Sequence, residues 1–295
     1  MCIMSQDSIN HHYVPQGLLK NWYIKDFKGK NQGFRKYQRK YNGEVSLIPT
    51  LRSTKSSCSK EHLNTTYQNV FSVTKEVIED SNSIEDELAR LDSDALVEIQ
   101  KILESPNERI LNLQVEEKNI LAKFILSLHF RHPETLEFSK QMVEKNAKDS
   151  LDFMLENLEK YDIGHHLDIF KKNVNLSTMM DTLNNPENHQ HIVNMNWIVS
   201  VFEDDFLLTG EKPLVINFNK NEIRPDLGFA LSLSPTVLLI GIHPKLFENN
   251  FKGFQDFISK FVPSYNGIVC EQSRYAISSH ELDEELVDIY LSALK

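Results

Sequence analysis

The sequence predicts an α+β protein: a central helical bundle packed on a mostly antiparallel sheet built from an N-terminal hairpin and late short strands. Three observations predict it. Apolar residues from Ile84 to Leu128 recur at three- and four-residue steps. Short β-rich runs separated by acidic, Gly or Pro turns crowd the stretch from Trp197 to Ile240, with no long helix between them. An Asn42-Gly43 pair splits a basic, aromatic run near the N-terminus.

Taken in order, the chain opens on Asn10-His11-His12-Tyr13-Val14-Pro15, then Leu18, Leu19 and Trp22 at short helical spacing. Pro15 suits a first helical turn, where its missing N–H would be unpaired anyway. The residue before Pro avoids the α region, so Tyr13 and Val14 approach as extended chain. His11 and His12 then stand just ahead of a short helix. Phe34 to Tyr41 reads as one strand of a β-hairpin, Asn42-Gly43 as its tight turn and Glu44 to Ile48 as the return. Phe34, Tyr37 and Tyr41 share no clean period of two, which leaves room for a bulge or an early turn. Ser53 to Ser59 is a polar linker, and Leu63 to Val73 a short edge strand or loop.

Residues 84–104 carry Ile84, Leu88, Leu91, Ala95, Ile99 and Ile102 on one helical face. Ser83 can cap this helix, and Glu85, Asp86 and Glu87 favour its positive end. Residues 114–131 form a second helix with Leu121, Phe124, Ile125 and Leu128 on one face, ending at Arg131-His132-Pro133. A third runs over roughly 134–160, and shorter helices over 166–173 and 176–184 precede Asn185-Pro186. The strands then follow at Trp197–Phe202, Phe206–Thr209, Leu214–Ile216, Phe229–Leu233 and Val237–Ile240, as an antiparallel meander. Residues 245–273 read as helix broken at Pro263, Tyr275 to Ser278 as a last strand and 281–294 as a last helix. The expected organisation is a single domain over 1–295. Its sub-regions are a basic 1–75 segment, a helical 84–184 segment and a 193–295 segment of strands and closing helices.

Composition sets outer bounds. Apolar and charged fractions of 40% and 25% are those of a folded globular chain. No apolar run approaches the roughly 20 residues that span a bilayer. Residues 1–10 lack the basic start and apolar middle of a signal peptide. A cytoplasmic protein without membrane association is expected. Cys2, Cys58 and Cys270 are odd in number and far apart, so ordinary free thiols are expected rather than disulfides or a zinc site. The net charge of −10 conceals an asymmetry: residues 1–60 carry +8 and the remainder −18. A basic N-terminal part suits either an anionic partner or docking on the acidic body.

Few residues are placed to carry chemistry. His12, ahead of a Pro-started helix, could act as acid, base or metal ligand near neutral pH. Equally, its ring could bond a backbone carbonyl and pin the N-terminus. Glu211, in a turn between two apolar strands, could be a general base or metal ligand, or a solvated turn acid. A bound divalent metal is therefore a candidate cofactor. Arg131 could hold a phosphate or carboxylate, or complement a helix's negative end. Asn266, before Gly267, is either a substrate contact or turn chemistry. Arg35, Lys36, Arg39 and Lys40, interleaved with Phe34, Tyr37 and Tyr41, suit a nucleic acid or other polyanion bound along residues 34–41. The same pattern suits a basic edge strand that discourages aggregation. The pairs His129/His132, His165/His166 and His189/His191 match no recognised zinc spacing. No Gly-rich phosphate loop, nucleophile elbow or dinucleotide fingerprint occurs, so nucleotide-fuelled and Ser-hydrolase chemistry lacks support.

His12-Tyr13-Val14-Pro15, with Leu18-Leu19 and Trp22, resembles the His-x-x-Pro opening of a bacterial family, domain-of-unknown-function family 4238. Phe124 to Pro133 is similar to that family's helix ending in Arg-x-Pro. Phe206 to Val215 is similar to its strand-turn-strand around Thr-Ser-Asp-Asn-Pro, with Gly210-Glu211-Lys212 standing where Ser-Asp-Asn is usual. Leu231 to Pro235 and Asn266 to Ser278 resemble its later motifs. The resemblance implies a one-domain protein of this size and implies no activity. Two readings stay open. The first is a hydrolase of nuclease or phosphodiesterase type, with His12 and Glu211 in the site and Arg131 or the hairpin holding phosphate. The second is a non-catalytic nucleic-acid- or protein-binding effector module, for example in phage defence or a toxin system, with the His motif as a structural clasp.

Overall fold

The computed structural model describes residues 10–26, 28–39, 45–48, 50–68, 79–81, 83–106, 113–146, 167–204, 206–216, 228–244 and 264–291. The chain is α+β, as its periodicities predict. The Ser83–Glu104 helix buries Ile84, Leu88, Leu91, Ala95, Ile99 and Ile102, the face read from their spacing. It packs on the Val115–Phe130 helix, which buries Leu121, Phe124, Ile125 and Leu128 and sits at the centre of the helical layer. The Glu117 carboxylate accepts the Gln114 N–H at 2.8 Å and closes that helix's first turn.

The third helix is described over Pro133–Asn146. Where two short helices were expected, a single one runs through Leu167–Asn184. Polar residues beside the expected break have tertiary partners. Asn173 accepts the Tyr67 N–H and donates to the Tyr67 carbonyl, and Asn175 donates to the Leu136 carbonyl. A further helix, Pro186–Val193, begins where sequence marked only an interruption: Asn185 accepts the Glu187 N–H as cap and Pro186 starts the first turn. Of the expected 245–273 helix, 264–271 is helical and 245–263 lies outside the described residues. The last helix starts later than 281: Glu284–Leu286 runs into a π-helical turn, Val287–Leu291, and 292–294 lies outside the described residues.

The late strands divide between two sheets. Leu214–Ile216, Phe229–Ser234 and Val237–Ile242 form an antiparallel meander, with Asn196–Val201 joining beside Val237–Ile242. The two middle strands are near-continuous apolar runs because both faces are covered. Thr209–Gly210 and Tyr275–Ser278 belong instead to the sheet of the N-terminal hairpin, in the order 209–210, 275–278, 35–39, 45–47. The chain therefore changes sheets within Glu211-Lys212-Pro213. Thr66–Gln68, in the stretch read as an edge strand or loop, is a strand paired with Glu79–Ser81.

Two details of the hairpin differ from expectation. Arg35–Arg39 is an inner strand, not an edge. A two-residue Asn42-Gly43 loop would set Tyr37 opposite Ile48, whereas Tyr37 faces Leu47. The strand ends are thus one residue out of step with that loop, whose residues 40–44 lie outside the described ones.

Candidate functional site

Asn10–His12 is a short strand paired antiparallel with Ser59–Glu61. Alternation along it turns His11 inward, fully buried, while His12 is partly exposed. The Asn64 N–H donates to His11 Nδ1 at 2.8 Å, and the Asn64 amide donates to Glu85 at 2.7 Å. His12 Nε2 donates to the Thr54 carbonyl at 3.2 Å, and its Nδ1 accepts from Gln16 at 3.4 Å. Thr54 is gripped from a second side, its hydroxyl donating to Gln16 and its N–H to Tyr23. The His12 ring thus pins the 53–57 loop onto the N-terminal turn. Burial holds its pKa below the usual histidine value, and the Thr54 carbonyl and the Glu85 carboxylate partly offset this.

Arg131 ends the Val115–Phe130 helix fully buried, and its guanidinium pairs with Asp92 at 2.9 Å. Arg131, Asp92 and Glu85 all act on the charge of His12. The neighbouring His132 faces the other way. Its Nδ1 accepts the Glu134 N–H at 3.2 Å, which places the ring proton on Nε2. Its ring meets Tyr13 edge to face at 5.2 Å. Burial, then the Lys212 charge, pushes its pKa down to about 4.

Glu211 occupies the corner where the chain changes sheets. It is 1% exposed. Arg274 holds it with its backbone N–H at 2.8 Å, its Nε at 2.9 Å and its Nη2 at 3.0 Å, in bidentate geometry. Tyr13 adds a longer hydroxyl bond at 3.4 Å. Ser273 accepts the Lys212 N–H, and Gln272 donates to the Lys212 and Leu214 carbonyls, so residues 272–274 grip the whole corner. Gly210 is required there: a Cβ would stand 2.9 Å from the Tyr275 carbonyl and 2.8 Å from the Ser273 hydroxyl. Behind the corner, the Tyr275 hydroxyl accepts the Cys58 N–H at 2.9 Å and lies 3.0 Å from its sulfur. Burial pushes the Cys58 thiol up to about 12.

The candidates from sequence fall into separate settings. His12 and Arg131 share one polar cluster with Glu85 and Asp92. Glu211 belongs to a second, with Tyr13, His132 and Arg274. The dipeptides His12-Tyr13 and Arg131-His132 connect the two. Among the described residues His12 and Glu211 share no hydrogen bond or ion pair. Asn266 is buried with both ends of its amide engaged, accepting the Leu208 N–H and donating to the Phe206 carbonyl, each at 3.0 Å.

Among the described residues of the basic hairpin, both cations whose side chains are placed, Arg35 and Lys36, already have partners. Arg35 pairs with Glu281 at 3.3 Å, and Lys36 lies 3.5 Å from the centre of the Tyr275 ring. Tyr37 is buried, its hydroxyl accepting the Leu282 N–H. The Arg39 side chain and all of Lys40 lie outside the described residues. Tyr13 and Arg274 are site residues that the sequence does not single out, and His132 stands out there only as half of a histidine pair. Each adjoins or lies within a quoted motif, but their partnerships span up to 198 residues of chain and leave no periodic trace.

Among the described residues no group of three or more His, Cys, Asp or Glu side chains is placed to hold a metal ion, and no helix is long and apolar enough to cross a membrane. The fold and these clasps define an α+β protein in which the N-terminal motif, the Arg-His-Pro helix end and the acidic corner come together. The chain belongs to the family described as "Protein of unknown function (DUF4238)", which matches residues 10–283. Comparison with curated proteins and with solved structures finds no match.

Proposed function

We propose that this protein is a non-catalytic binding module of the effector type, with a nucleic acid as its partner. One observation carries the reading: both residues best placed by sequence for catalysis are engaged in holding the fold. His12 clasps the Thr54 carbonyl, and Glu211 is enclosed by Arg274 and Tyr13. The clasp has a use in binding. The loop it pins displays Lys55, with Arg52 just ahead of it, and Lys20, Lys25, Lys30 and Lys60 are likewise exposed. Such a basic surface suits phosphate contacts, which fix position without reading sequence.

A hydrolase of nuclease or phosphodiesterase type is the second reading, and a different observation favours it. Burial lowers the His12 pKa and raises that of Glu85, which narrows the gap between two groups that share one cluster with Arg131. Proton exchange between an acid and a base benefits from such matching. One experiment separates the two. Labelled single- and double-stranded DNA and RNA are incubated with the protein, with and without divalent metal, alongside His12→Ala at matched folding. Salt-sensitive binding without turnover, weakened in the variant, is the expected result. Metal-dependent cleavage lost in the variant overturns it in favour of the hydrolase.

A further inference from the structure

We infer that the cavity between the amino end of the Pro133–Asn146 helix and the Lys212–Ile216 stretch binds a small oxyanion, a phosphate or carboxylate group on a molecule of few heavy atoms. The cavity measures about 190 Å³, and its polar wall is His129, His132, Thr135, Lys212 and Gln272 against apolar Leu128 and Ile216. At roughly 30 Å³ per water it has room for about six waters. That accommodates a tetrahedral or planar anion with a short substituent. None of the exposed cations offered for nucleic-acid binding lies in its wall, so the two sites are distinct.

The wall's donors include the His132 ring N–H and the Lys212 ammonium, whereas the Gln272 amide N–H groups are already engaged by the Lys212 and Leu214 carbonyls. His132 is 3% exposed, and its Nε2 has no hydrogen-bond partner. Its Nδ1 is already the acceptor of the Glu134 N–H, so the unpaired atom is an N–H. Burial keeps the ring neutral, and it cannot satisfy that donor by giving the proton up. A buried donor without an acceptor is costly, and a ligand oxygen supplies the acceptor. Two further features favour negative charge at the same place. The cavity lies at the amino end of a 14-residue helix, with Thr135 of the first turn in its wall. The Lys212 ammonium stands at the wall, paired with the more exposed Glu134 carboxylate. Glu134 is thus a resident counter-ion that an incoming anion competes with. A metal ion does not fit this wall: of its two histidines, His132 has its free nitrogen protonated, and no group of three ligating side chains is placed to hold an ion among the described residues.

The test is calorimetric titration of the full chain with inorganic phosphate and, separately, with acetate, at ionic strength held constant with sodium chloride. Saturable one-to-one binding of at least one is expected. Binding of phosphate alone identifies a phosphoryl-group site, and binding of acetate alone a carboxylate site. Lys212→Met, at a partly exposed position, should weaken it by about tenfold, and Glu134→Gln should tighten it severalfold. His132→Asn keeps an acceptor for the Glu134 N–H while removing the ring donor, and should weaken binding in a protein that still folds. In the parent protein the His132 Nε2–H resonance should move on titration. No saturation by either anion into tens of millimolar overturns the inference. So does binding that Lys212→Met leaves unchanged, or that Glu134→Gln weakens.

Discussion

Lowering the pH should destabilise this protein through His132 in a window set by that one ring. In the folded chain its pKa is pushed down to about 4 by burial and by Lys212, against an ordinary value of 6.5. The sign follows from proton counts. Between pH 6.5 and 4 the unfolded chain holds a proton on this ring that the folded chain does not. Stability from this group is therefore complete above pH 6.5, falls as pH drops through the window, and is lost below about 4. At about 1.4 kcal/mol per pH unit, the span sets a ceiling of about 3 kcal/mol. The ring borders a cavity that water can enter, so we expect about 2 kcal/mol. The assay is urea denaturation of the parent and of His132→Asn at pH 7.5, 6.5, 5.5 and 4.5. Asn at this position keeps a side-chain acceptor at the helix start and does not titrate. Other groups titrate alike in both proteins, so the stability difference between them isolates the ring. The parent's advantage should shrink as the pH falls. A difference that stays constant across the four conditions refutes a neutral, enclosed His132.

Other consequences are equally direct. Gly210→Ser should lower stability by about 1–3 kcal/mol, because the new Cβ meets the Tyr275 carbonyl, a backbone atom that cannot turn aside; an unchanged denaturation midpoint would contradict this. Asn266→Ala strands the Leu208 N–H and the Phe206 carbonyl, for a loss of about 2–4 kcal/mol by the same measurement. Asn266→Asp, which keeps only the acceptor, should fall between the two. Cys58 and Cys270 are buried with thiols pushed up to about 12, so iodoacetamide at pH 8 should leave both unmodified until the protein unfolds. Rapid alkylation of either in the native protein, read by mass spectrometry, would show that the site opens.

The fold was legible where one period governs a long stretch. Ile84 to Ile102 and Leu121 to Leu128 repeat their apolar residues often enough to define a face, and the observed helices bury those faces. The late strands were legible from β-rich runs between turn residues. Their division between two sheets was not, because Thr209–Gly210 and Leu214–Ile216 are neighbours in sequence and differ only in their partners. The break expected near residue 174 failed for a related reason. Asn173 and Asn175 weaken a helix considered alone, but Tyr67 and Leu136 offer their backbone groups to them. The candidate site was half legible. His12, Arg131, Glu211 and Asn266 were singled out, and each is part of a buried or half-buried polar network. Their partners Thr54, Asp92, Arg274 and Leu208 were not, since pairing across tens of residues is written in no local pattern. The position of the cationic strand was not legible, because alternating charge and aromaticity looks the same on an edge as beside a neighbour; Tyr275–Ser278 covers one flank of it.

The change of sheets at Glu211 has a mechanical consequence. A single eight-residue segment, 209–216, supplies a strand to each sheet and is gripped at its bend by 272–274. Neither sheet can peel away without tearing that bend and exposing the buried Glu211 carboxylate. Amide protons of 229–242 and 275–278 should therefore exchange through one cooperative opening at a common free energy, while the two-stranded ribbon of 66–68 and 79–81 opens on its own and far more often.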